Sequence, residues 1–246
     1  MIHIFLLLFL LIILLLNFVL TYIFPIAGIL ANSVTIILFL IFSVYDIYDT
    51  YAQDIFSLCV TFLVINFITI YLHFSDVYIN SLILYLILLF IALMYCLKIF
   101  HEEKLFRLKN LRHIYIIFPI GILLAYVIYY FIGFSQYATH PLQLPQALVL
   151  ISITGIAEAV FFQALIQNAV TKMTDMVIAV TFTSILYGLF HFNSSIFTTL
   201  LFILLSLIYC AIYALWKNIY ISIGMNILVN VIFYILTSNL LIFAIK

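Results

Sequence analysis

Charge is what this sequence has least of. Of its 246 residues only 7% are Asp, Glu, Lys or Arg, whereas 69% are hydrophobic and 18% aromatic. A mean hydropathy of +1.42 excludes a water-soluble domain, which could not carry such a surface without aggregating. Eight basic and eight acidic residues cancel, so there is no electrostatic footprint for a nucleic acid. The three cysteines, Cys59, Cys96 and Cys210, all sit in apolar runs without metal-ligand spacing, and read as small buried hydrophobes rather than a disulfide framework. Also missing are the paired, interrupted helices that many transporters show as internal repeats, and any low-complexity linker.

What the sequence does contain is apolar runs of membrane length. Stretches long enough to span a bilayer fall at 2–23, 25–45, 55–72, 77–97, 114–134, 147–171, 176–195, 196–215 and 219 to about 240. The expected fold is therefore all-α: a polytopic transmembrane helical bundle of about eight or nine spans, integral to the membrane and in contact with lipid. Richness in Ile, Phe, Tyr and Asn weakly suggests a bacterial cell membrane. The join between the first two runs, at Phe24, Pro25 and Gly28, carries no charge, so the pair reads either as two spans or as one span plus a re-entrant piece. The first run has no Lys or Arg before it and no small-x-small cleavage site after it, which predicts an anchor that stays rather than a cleaved signal peptide.

Five of the eight basic residues, Lys98, Lys104, Arg107, Lys109 and Arg112, lie in one loop, which the positive-inside rule assigns to the cytoplasm. Counting spans onward puts Lys172 and Lys217 on the same side and Lys246 opposite. Asp46, Asp49 and Asp54 mark an acidic loop, read as solvated. The composition break at 98–113 divides the chain into an N-terminal group with its basic cytoplasmic loop, 1–113, and a C-terminal core, 114–246.

Polar residues are unevenly shared between the two groups. The first offers scattered amides such as Asn66 and Asn80, expected to bond between helices. In the second, Glu158 is the one charged residue between Ala147 and Thr171, and an intramembrane carboxylate is a functional candidate by default. Gln163, His191, Asn226 and Asn230 accompany it. Tyr187 and His191 are four residues apart, about 40° out of register on one helical face. Thr154 and Glu158 repeat that step, and Ser222, Asn226, Asn230 and Tyr234 draw a polar stripe along the last helix. Three helices thus each turn a polar face away from lipid, most economically toward one another. The plainer alternative is that Glu158 is protonated, His191 packs as a neutral ring and the Asn stripe joins helices. Gly155 and Ala159 form a small-xxx-small face suited to close packing without chemistry, and Gln163 and Gln167 read as structural.

The order and context of these residues resemble the CPBP (CAAX protease and bacteriocin-processing) intramembrane protease family, which includes the CAAX prenyl endopeptidases and bacterial Abi-type proteins. The family's first motif is a glutamate pair, two variable residues, Phe and Arg, then usually Gly. Here Glu158 and Phe162 are kept, while Ala159, Gln163 and Ala164 replace the second glutamate, the arginine and, one place past the arginine, the glycine. The second motif, an aromatic, three residues and a histidine, is matched by SILYGLFHF at 184–192 with Tyr187 and His191. The third, histidine, three residues and asparagine, is matched by IGMNILVNV at 223–231, with Asn226 in the histidine position and Asn230 in place. The resemblance covers 147 to about 231 and leaves 1–113 untouched.

It implies a glutamate-dependent hydrolase acting on a membrane-associated peptide or protein. A carboxylate removed from water becomes a stronger base, an imidazole beside it can position water or shuttle a proton, and Asn amides can donate to the tetrahedral oxyanion. On that reading the catalytic residues are Glu158 as base, His191 as its partner, and Asn230 with Asn226 as oxyanion donors. Loss of both the second glutamate and the arginine leaves neither charge unpaired, whereas Asn226 can donate a hydrogen bond but cannot exchange a proton as imidazole does. A catalytic zinc normally needs about three protein ligands, and only Glu158 and His191 qualify, since His3, His73, His101, His113 and His140 lie at span ends or in loops. No bound metal and no other cofactor is expected. Two further classes stay open: a degenerate scaffold or regulator that binds a membrane-protein partner, as in bacteriocin immunity or cell-envelope control, and a small transporter using Glu158.

Overall fold

The computed structural model describes residues 2–44, 50–71, 77–99, 114–132, 143–191 and 196–244. The basic stretch 100–113, Asp46, Asp49, His73, His101, His113 and His140 lie outside them. All the described elements are helical: α1 (Ile2–Ile23), α2 (Pro25–Val44), α3 (Thr50–Tyr71), α4 (Val77–Ile99), α5 (Ile114–Ile132), α6 (Leu144–Glu158), a π-helical segment (Ala159–Gln167), α7 (Asn168–Met173), α8 (Met176–Phe190), α9 (Ile196–Trp216) and α10 (Ile219–Ala244). The α6, π and α7 pieces follow one another without a break as a single 30-residue apolar rod.

Seven of these helices are long and apolar enough to cross a membrane, while the apolar stretches Ile117–Phe131 and Met176–Phe190 are shorter. At about 1.5 Å per residue, 15 residues reach roughly 22 Å, short of a hydrocarbon core of about 30 Å. Within the described residues the apolar runs are helical, and seven helices have the length and composition of a span.

The contacts divide the chain into two compact units, Met1–His73 with Leu165–Leu207, and Phe74–Ala164 with Ile208–Lys246. In the first, α1 and α2 are two separate helices joined through Phe24 and packed together, so the uncharged join is a tight hairpin. Gly28 admits it, because a Cβ there would run into the Thr21 backbone. Two interhelical bonds close the hairpin: Asn17 Nδ2 donates to Thr35 Oγ1 at 2.8 Å, and Asn32 Nδ2 to Thr21 Oγ1 at 3.1 Å. Hydrocarbon offers these groups no alternative partner. Asn66, by contrast, does not bridge helices as expected; its Nδ2 donates to Phe62 O of its own helix at 3.0 Å. An amide four residues past a carbonyl reaches back to it more cheaply than across an interface. Phe39 and Phe42 lay their rings against Phe56 to hold α2 on α3. Asp175 caps α8, accepting from the Ile178 N–H at 2.9 Å.

In the second unit α10 packs on α5 and on α6, and α4 packs on α6. Glycine sets both approaches of α10. A Cβ on Gly121 would stand 2.7 Å from Leu228 Cδ2, and one on Gly155 would stand 2.6 Å from Ile227 Cγ1 and 3.2 Å from the Ile227 nitrogen. Without a side chain at 155, the α6 backbone lies directly against α10, the close packing that the small-xxx-small face of Gly155 and Ala159 predicts.

Candidate functional site

Glu158 is the last residue of α6 and is 1% exposed. A carboxylate so placed must be hydrogen-bonded or it is very costly. Its Oε2 accepts from Asn226 Nδ2 of α10 at 3.0 Å, across 68 residues of chain. Asn226, also 1% exposed, accepts in turn at Oδ1 from Asn230 Nδ2 at 2.7 Å. The row runs one way, Asn230 to Asn226 to Glu158. Because Asn230 donates to Oδ1, the Asn226 amide is turned with its N–H groups toward the carboxylate.

The helices dictate this meeting. Gly155 lies one turn before Glu158, and Ile227 immediately follows Asn226. The glycine contact therefore brings α10 to van der Waals distance at the level where carboxylate and amide must meet. Directly after Glu158 the backbone opens into the nine-residue π segment AVFFQALIQ. Such turns are rare, shift the register of all that follows, and are frequent at functional sites. Within it Ala159 and Phe162 are fully buried and edge-on aromatic packing joins Phe161 to Phe162 at 5.2 Å. Gln163, 1% exposed and standing where the motif has arginine, points its Nε2 at Cys210 Sγ of α9 at 3.9 Å. A neutral amide on a soft sulfur replaces the ion pair that arginine and a second glutamate would make. Tyr209, its neighbour in sequence, is buried within electrostatic reach of Glu158.

His191 belongs to the first unit. It is the residue that ends α8, half-buried, its N–H donating to Tyr187 O at 3.2 Å. Its ring stacks on Phe202 with centroids 4.4 Å apart and planes 17° apart. Tyr187 stands 4.6 Å away and Phe190 5.3 Å. Three aromatic rings thus pack near the imidazole, Phe202 stacked, Tyr187 tilted and Phe190 edge-on. Tyr187, the aromatic of the second motif, is 2% exposed and acts as one wall of this cage. Gly188 lets α9 close in, since a Cβ there would meet Ile203 and stand 3.0 Å from Thr199 O.

Of the four residues expected to carry chemistry, Glu158, Asn226 and Asn230 are joined in one hydrogen-bonded row. Sequence reasoning did not single out Gly155 for this particular contact, nor Phe202, Tyr209 or the π segment. Phe202 and Tyr209 are ordinary members of an apolar run, and a π turn has no composition of its own. Among the described residues no three His, Cys, Asp or Glu side chains gather as metal ligands would.

Comparison with known proteins adds a partial match. No curated protein and no solved structure matches the chain. Residues 140–232, which hold Glu158, His191, Asn226 and Asn230, match the family model described as Type II CAAX prenyl endopeptidase Rce1-like.

Proposed function

We propose that this protein is an intramembrane endopeptidase of the CPBP type, hydrolysing a peptide bond in a membrane-associated peptide or protein with Glu158 as base. The observation that carries this reading is the buried carboxylate with one oxygen held by Asn226, itself oriented by Asn230, inside the stretch that matches the family. A structural carboxylate needs only a partner, whereas a base needs an oxygen held in a fixed direction. The amide row supplies that direction without adding a cation, which would weaken the base.

In the proposed reaction a water oxygen attacks the scissile carbonyl carbon while Glu158 takes the water proton. The tetrahedral intermediate carries its negative charge on the former carbonyl oxygen. The C–N bond then breaks as the proton passes from Glu158 to the departing nitrogen. His191 orients the water or relays the proton, and its aromatic cage favours one ring orientation. Asn226 and Asn230 each have a second N–H beyond the bond described, available to the oxyanion. We further propose that α5 and α8 cross the membrane with the seven longer helices, giving nine spans in a bacterial cell membrane.

The alternative reading is a scaffold that has lost catalysis. Asn226 favours it: an amide replaces the motif's histidine and one of its donors already serves Glu158. The two readings part on Glu158→Gln. Peptide termini in membranes from cells expressing the wild-type protein and the variant should differ by products present only with glutamate. Identical termini, with a retained partner complex, would assign the protein to the scaffold class.

A further inference from the structure

Most of the buried hydroxyls with a described bond follow one rule, and the exceptions are informative. Buried in hydrocarbon, a Ser or Thr normally returns its proton to the carbonyl one turn earlier. Thr35 does so to Ala31 O, Thr61 to Ser57 O and Ser184 to Val180 O. Ser222 does not. It is 2% exposed, and its Oγ has no hydrogen-bond partner among the described residues. It is also the first member of the stripe Ser222, Asn226, Asn230 on α10, one turn from Asn226 on the same face. In this row Asn226 already donates to the carboxylate and accepts from Asn230. Ser222 is the member with neither proton nor lone pair engaged. A buried hydroxyl left so is costly, and a ligand oxygen at the site would remove that cost.

We propose that Ser222 contacts substrate: its hydroxyl donates to the carbonyl oxygen of the scissile peptide bond and holds that oxygen more strongly as it becomes the oxyanion. The proposal rests on the peptidase reading and supplies a donor that the committed Asn226 amide supplies only in part. No bond to Ser222 forms or breaks; the carbonyl π pair moves onto the oxygen that the hydroxyl faces.

The test uses the full chain in lipid nanodiscs and a synthetic peptide spanning a cut that depends on Glu158. Ser222→Ala should lower kcat by roughly 10- to 100-fold, in line with the loss of one oxyanion donor, with KM within about twofold. Ser222→Thr, which restores the hydroxyl, should recover most of the rate. A merely structural serine would shift the melting temperature and the amount of active protein and leave kcat per active site unchanged. If Ser222→Ala does not fold, Ser222→Cys, of similar volume but a much weaker donor, takes its place with the same expectation. Wild-type kcat in the variant while Glu158→Gln is dead overturns the role of Ser222 alone. No Glu158-dependent cut anywhere overturns the peptidase reading and this proposal with it.

Discussion

The two compact units fix their key side chains by different physics. In one, a carboxylate is held by directed hydrogen bonds from neutral amides, Asn226 and behind it Asn230. In the other, an imidazole is held by ring faces, Phe202 in a near-parallel stack with Tyr187 and Phe190 around it. Hydrogen bonds in a low-dielectric interior are strong, directional and costly to leave unmade. Aromatic contacts are weaker, about 0.5–1.5 kcal/mol beyond burial, and tolerate small rotations. The carboxylate is therefore locked and the imidazole only guided.

The contrast ranks the expected damage. Glu158→Gln keeps the shape and removes the base, so product formation should fall to background while the protein purifies with an unchanged melting temperature. Activity above background would remove Glu158 from the chemistry. Asn226→Ala deletes the donor to a buried carboxylate, and the loss of a hydrogen bond to a charged group predicts about 1.5–3 kcal/mol, read as a lower denaturation midpoint and a roughly tenfold or greater loss of rate. An unchanged midpoint would mean the carboxylate does not depend on the amide. Gly155→Ala places a methyl against Ile227, where the side chain can shift but the backbone nitrogen at 3.2 Å cannot. Overpacking of this kind costs about 1–3 kcal/mol, and Ile227→Ala in the same chain should recover part of it; no recovery would deny that this contact sets the spacing of α6 and α10. Phe202→Leu should be mildest, near the 0.5–1.5 kcal/mol of one aromatic pair. The His191 ring resonances should move as the stacking ring current is lost, with little change in stability.

The legible part of this architecture is the part that hydropathy and charge scarcity control. Among the described residues the apolar runs are helical, and Glu158 stands out because nothing charged surrounds it from Ala147 to Thr171. The four-residue step also carried through, since Asn226 and Asn230 do bond to each other along α10. What pattern could not supply was the choice of partner. Asn66 and Asn226 look alike in sequence, yet one bonds within its own helix and the other reaches a carboxylate on α6. The difference lies in Gly155, whose missing side chain admits α10. The π segment was invisible for a related reason: its residues are good helix formers, and the wider turn arises from how they pack. Span position was easier to read than span length, since within the described residues the α8 helix has 15 residues.

The most direct test is to follow the oxygen of water into the product. With the full-length protein in nanodiscs, a Glu158-dependent peptide substrate and water enriched in oxygen-18, the account predicts one heavy oxygen in the newly formed carboxyl group of the wild-type product and no product from Glu158→Gln. Equal cleavage by both proteins would contradict a water-activating Glu158, and no cleavage by either would leave the amide-locked carboxylate as the structural core of a scaffold.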